Sequence, residues 1–142
     1  MNEQIKSYRQ VDTVGKSQID LIMQVYSGAI QSLAAGREHY GAGEFDAGYL
    51  QLERSRKFLT HLYTTLDFEQ GGEVAQNLGK LYAFCMNEFD VIEATKEISR
   101  IDSCIKVLET LKQGWEQIRQ DSRPAKAAPA EAASIESLLV TA

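Results

Sequence analysis

Apolar residues recur along this chain with the period of a helix in four stretches, and strand-like alternation is weak throughout. In the first stretch Ile19, Met23, Tyr26, Ile30 and Leu33 fall at helical spacing, with Ile22, Val25 and Ala29 widening the stripe. Ser17 followed by Asp20 has the form of a capping box, which sets the helix start there. Tyr40-Gly41-Ala42-Gly43 sets its end, since glycine adopts the left-handed C-terminal conformation freely. The second stretch runs from about Glu44 to Leu66. Its apolar side is Phe45, Tyr49, Leu52, Leu59, Leu62, Tyr63 and Leu66, and it breaks over Asp67-Phe68-Glu69-Gln70-Gly71-Gly72.

The third stretch starts near Gly72-Glu73, with Glu73 suited to the positive end of a helix dipole. Val74, Leu78, Leu81, Tyr82, Cys85, Phe89 and Ile92 share one face. The fourth carries Ile98, Ile101, Ile105, Leu108, Leu111, Trp115 and Ile118. No glycine or proline separates these two, but phase does. At about 100° per residue, Ile101 lies roughly 120° from Phe89, so a turn around Thr95–Glu97 is needed to keep one apolar face. Helices of about 22 residues reach about 33 Å. Four of similar length with short connections predict an all-α, antiparallel four-helix bundle over residues 17–120. Residues 1–16 form a separate N-terminal segment with no long period. Residues 121–142 read as a disordered tail, its first part (DSRPAKAAPAEAA) a flexible linker before Ile135, Leu138, Leu139 and Val140.

The 142 residues suit one domain, and 44% hydrophobic with 25% charged residues is ordinary for a globular protein. A net charge of −5 argues against non-specific nucleic-acid binding. No apolar run is long enough for membrane insertion, and Met1-Asn2-Glu3-Gln4 does not begin a secretory signal. Two cysteines make no disulfide framework and point to the cytosol.

Chemistry that bundles often house is missing. A di-iron site needs Glu-x-x-His pairs, yet Gly36 and Phe58 stand three residues before His39 and His61. Gly15-Lys16-Ser17 imitates the end of a phosphate loop, but Gln10 occupies the place of its first glycine. Cys85 and Cys104 fall on apolar faces and read as buried thiols; His61 reads as a surface residue, and Glu53 with Arg56 as a solvated pair. The expectation is a binding module, with no enzyme activity, cofactor or metal.

The stretch Leu66-Asp67-Phe68-Glu69-Gln70-Gly71-Gly72-Glu73-Val74-Ala75-Gln76-Asn77-Leu78-Gly79-Lys80-Leu81-Tyr82 resembles the signature of the flagellar secretion chaperone FliS family. Tyr8-x-Gln10, Tyr26-Ser27-Gly28-Ala29, Gly43-Glu44-Phe45 and Trp115 agree with it, over about residues 5–120. The resemblance implies a helical bundle in the bacterial cytoplasm. It implies binding of the disordered C-terminal segment of flagellin, prevention of premature polymerisation, and delivery to the flagellar type III export apparatus. The alternative is a helical adaptor or scaffold for another flagellar regulator.

The resemblance also implies partner-binding positions. Ile5 and Tyr8, with Val11, belong to an N-terminal segment that caps part of the binding surface. Tyr26, Leu66, Asp67, Asn77, Leu81 and Tyr82 complete the set. Tyr26, Leu66, Leu81, Tyr82 and Trp115 equally fit a core, Asp67 fits a turn cap, and Asn77 fits either a loop hydrogen bond or the client. Asn87-Glu88 stand where family members often carry two arginines, and Gln18 replaces a frequent proline. An open apolar groove also favours a homodimer when no client is present.

Overall fold

The computed structural model describes residues 14–121. Four helices follow one another: α1 (Val14–Gly41), α2 (Phe45–Thr64), α3 (Phe68–Thr95) and α4 (Ile98–Asp121). Each packs against its neighbours in sequence, and α4 returns to α1, closing an up-down-up-down bundle. The predicted all-α antiparallel four-helix architecture is therefore the fold. The N-terminal segment and the tail lie outside the described residues.

The helix ends show which local rules operate. α1 starts at Val14, so Ser17 is already inside the helix and not its cap; the expected start is corrected by one turn. At its other end Gly43 takes φ +79°, as the Tyr40–Gly43 stretch predicts. α3 begins earlier than Gly72-Glu73. Asp67 caps it by accepting the Glu69 and Gln70 amides, both at 3.1 Å, and Phe68 opens a first turn. That turn ends at Gly72, whose φ of 55° and ψ of −131° break the helix at the paired glycines. α3 stops at Thr95 and Lys96 takes φ 64°, which confirms the boundary inferred from phase alone.

The core follows the predicted stripes. Ile19, Tyr26, Ala29 and Leu33 of α1 are buried with Leu52, Leu59 and Leu62 of α2. Tyr82, Cys85, Phe89 and Ile92 of α3 meet Ile101, Cys104, Leu108 and Trp115 of α4. Three expected members of the α2 stripe do not join them: Phe45, Tyr49 and Tyr63 are 44%, 46% and 38% exposed. The buried face of α2 runs through Gly48, Leu52, Ser55, Leu59 and Leu62, and these three residues lie to one side of it; Phe45 packs at a tilt against the Tyr40 ring and Tyr63 meets the Phe68 ring edge-on instead. α1 and α2 approach closely because Gly28 and Gly48 lack side chains. A Cβ would stand 2.7 Å from the Phe58 ring at Gly28 and 2.8 Å from the Tyr40 ring at Gly48. Ser55 seals the same seam by donating to the Ala29 carbonyl.

Polar groups tie the helices together. The Tyr26 and Tyr82 hydroxyls lie 2.5 Å apart, and Trp115 Nε1 donates to the Tyr26 oxygen at 3.1 Å, joining α1, α3 and α4. Ion pairs staple the helices: Arg37–Asp102 and Arg119–Asp20 between α1 and α4 and Arg56–Asp90 between α2 and α3 on the outside, and Arg100 with the buried Glu88 between α3 and α4.

Candidate functional site

The signature stretch builds the α2–α3 corner. Asp67 holds the first turn of α3, and Leu66 and Phe68 fold back over Gly79, where a Cβ would meet their side chains at 3.5 and 3.4 Å. Leu66 and Asp67 are half-buried there. Asn77 is exposed and makes no side-chain hydrogen bond among the described residues, so it does not anchor the preceding loop.

From this corner an apolar groove runs between α3 and α4. Its upper part, a depression of about 440 Å³, is lined by Leu81 and Phe84 of α3 and by Ser103, Lys106, Val107, Thr110 and Leu111 of α4. A second depression of about 160 Å³ continues it, sharing Thr110 and Leu111 and reaching Val74, Leu78, Trp115 and Ile118. Ser103 to Ile118 spans about 22 Å of helix at 1.5 Å per residue. On both walls the lining recurs three or four residues apart, the pattern that receives an amphipathic helix. Phe84 is 44% exposed, so a large aromatic surface faces water at the groove edge.

A larger depression of about 610 Å³ lies between α1 and α4. Most of its wall is amide and charge: Gln31, Glu109, Lys112, Gln113 and Glu116. Covering those groups with an apolar face costs their solvation unless each finds a partner. The smaller, drier α3–α4 groove is the better seat for an apolar ligand.

Of the sequence-derived positions, Leu81 lines this groove, and Leu66 and Asp67 stand at the corner where it begins. Tyr26 and Tyr82 lie inside the bundle, 0% and 1% exposed, as its polar centre. Burial pushes the Tyr26 hydroxyl up to about 12 and the Tyr82 hydroxyl further still, so both stay protonated and neutral at any physiological pH. Ile5, Tyr8 and Val11 lie outside the described residues.

Phe84 and Val107 are groove residues that sequence reasoning passed over. Their signal is an apolar residue displaced from the core stripe, with Leu81 and Leu111 beside them. Asn87-Glu88 also gains a role. Glu88 is turned inward and accepts from Arg100 at 3.0 and 3.1 Å, so this position closes the α3–α4 seam.

Among the described residues no cluster of His, Cys, Asp and Glu is arranged to hold a metal ion, and no helix is long and apolar enough to cross a membrane. Cys85 and Cys104 are buried free thiols, and the neighbouring Cys85 thiol, with burial second, raises the Cys104 thiol far above its ordinary value. A thiol held protonated is a packing group, not a nucleophile.

Comparison with known proteins gives one family. The model of "Flagellar protein FliS" matches residues 1–122. The flagellar secretion chaperone FliS of Vibrio cholerae is 24% identical over 122 residues, covering 83% of this chain and 90% of that protein. The Salmonella typhimurium chaperone of the same name is 27% identical over 119 residues, 80% and 88% of the two chains. A flagellar secretion chaperone FliSB of Pseudomonas aeruginosa is 26% identical over 121 residues, 80% and 94%.

Proposed function

The chain belongs to the flagellar secretion chaperone FliS family, and we propose that its client is the disordered C-terminal segment of flagellin. The observation that carries this reading is the α3–α4 groove, whose lining is apolar apart from Ser103, Thr110 and Lys106. A segment destined for the coiled core of a filament has apolar helical faces with nothing to cover them while the subunit is alone. Laid along this groove, such a face is buried and its chain becomes helical. Ordering a flexible chain costs free energy, so the contact must be long, and two connected depressions provide length. Leu81 and Phe84 form one wall of the seat, with Val107 and Leu111 opposite.

In this reading Leu66, Asp67 and Asn77 receive the client beyond the groove's corner, and Ile5, Tyr8 and Val11 form a cap that client binding displaces. Tyr26 and Tyr82 serve binding by fixing how α1, α3 and α4 sit. The complex forms in the cytoplasm, keeps flagellin from polymerising, and presents it to the type III export apparatus. The reaction is binding alone, with no bond made or broken.

Filament growth tests this reading. Equimolar chaperone should abolish growth of purified flagellin from filament seeds, followed by light scattering. Phe84→Asp should restore most of that growth while leaving the circular dichroism of the bundle unchanged. Unchanged growth in the presence of the folded wild-type chain would instead favour an adaptor whose partner is another flagellar regulator.

A further inference from the structure

The groove has a candidate occupant within the chain itself. α4 ends at Asp121, three residues past Ile118 at the groove's lower end, so the tail departs from the groove's own edge. Residues 122–134 separate Asp121 from a short apolar cluster. A flexible linker of that length has a root-mean-square span of about 20 Å. The distance along α4 from Asp121 back to Val107 is also about 20 Å at 1.5 Å per residue. Linker and groove are therefore matched in reach, the condition under which tethering gives its highest effective concentration, in the millimolar range for short flexible linkers.

The sequence of the cluster suits the seat. Ile135, Leu138 and Leu139 stand at i, i+3 and i+4, one face of a single helical turn. Ser137 falls on the opposite side, towards water. Charge agrees as well. Residues 131–142 carry Glu131 and Glu136 and no basic residue. The upper groove has Lys106 in its lining, with no carboxylate there and no ion pair to Lys106 among the described residues.

We infer that residues 134–140 dock as a helical turn in the α3–α4 groove of their own chain, with Leu138 and Leu139 against Leu81, Val107 and Leu111 and Glu136 beside Lys106. The docked tail shields the apolar groove while no other ligand is present. Anything that binds there, the proposed client included, must displace it. Because the contact is intramolecular, it needs no client and can be tested without one.

The test is paramagnetic relaxation in the full-length protein. A nitroxide is attached at Ser137→Cys; the two native cysteines are buried and do not compete for the label. The methyl signals of Leu81, Val107 and Leu111 should lose more than half their intensity, while Leu21 and Leu50, exposed on α1 and α2, keep theirs. Adding Leu138→Asp and Leu139→Asp, changes outside the bundle, should restore the groove signals. Unaffected groove methyls, or equal losses on α1 and α2, would overturn the inference. So would broadening that appears only between spin-labelled and isotope-labelled copies, which would make the occupant a second molecule.

Discussion

The hydroxyls of Tyr26 on α1 and Tyr82 on α3 meet at 2.5 Å inside the bundle, and Trp115 on α4 donates to the Tyr26 oxygen. Tyr26 is thus the hub of the network and Tyr82 an end. Removing the hub leaves two buried groups unsatisfied, whereas removing the end leaves Tyr26 its bond from Trp115. A buried group left without a partner costs about 1–3 kcal/mol. Tyr26→Phe should therefore destabilise the protein more than Tyr82→Phe, by roughly twofold, in chemical denaturation. The double variant should cost less than the two singles combined, because the second change removes a partner already orphaned. Equal and additive losses would show that the hydroxyls do not act as a network.

The α2–α3 corner rests on two different local devices, which separate by mutation. Asp67→Ala deletes the carboxylate that accepts two amides and should cost about 1 kcal/mol. Gly72→Ala meets no steric obstacle, since nothing lies within 4 Å of the Cβ position, yet it forces a side chain onto φ +55°. Its cost is backbone strain, about 1–3 kcal/mol. Thermal melts of both variants check this. A Gly72→Ala variant as stable as the parent would mean that the corner straightens into a continuous helix.

Glu93 gives the fold a pH dependence. Burial, and then the neighbouring Glu53, pull its carboxyl up from 4.5 to about 7, while Arg56 pulls the other way from 3.8 Å. Its buried Oε2 has no hydrogen-bond partner. The folded protein therefore holds this proton more tightly than the unfolded chain does. The associated stability is complete below pH 4.5 and is lost as pH rises through about 7. Glu93→Gln should remove that slope and stabilise the protein at pH 8 by about 1–3 kcal/mol. Identical pH profiles of melting temperature for variant and parent would refute the assignment.

Most of the bundle was legible because each helix carries its own apolar stripe. The α3–α4 boundary shows how far phase alone reaches: no glycine marks it, and the turn at Lys96 is where the apolar faces require it. The first turn of α3 was hidden because Phe68 to Gly71 read as a polar, glycine-rich loop, and only the Asp67 carboxylate reveals the helix. Ser17 misled for the opposite reason, offering a capping pattern inside a helix that had already begun. The groove was least legible. Leu81 belongs to the core stripe by phase, but Phe84 and Val107 become one surface only when α3 and α4 are set side by side, and pairing is not a property of either sequence segment.

The most direct test is calorimetric titration of the full-length chain with the C-terminal segment of its own organism's flagellin, at several temperatures. Burial of an apolar helical face in the α3–α4 groove should give sub-micromolar binding with a negative heat-capacity change. Phe84→Asp, at an exposed position that leaves the core intact, should weaken it by about tenfold or more, equivalent to about 1.4 kcal/mol. No heat of binding from a folded protein, or tight binding that Phe84→Asp leaves untouched, would contradict the assignment of this groove as the flagellin seat.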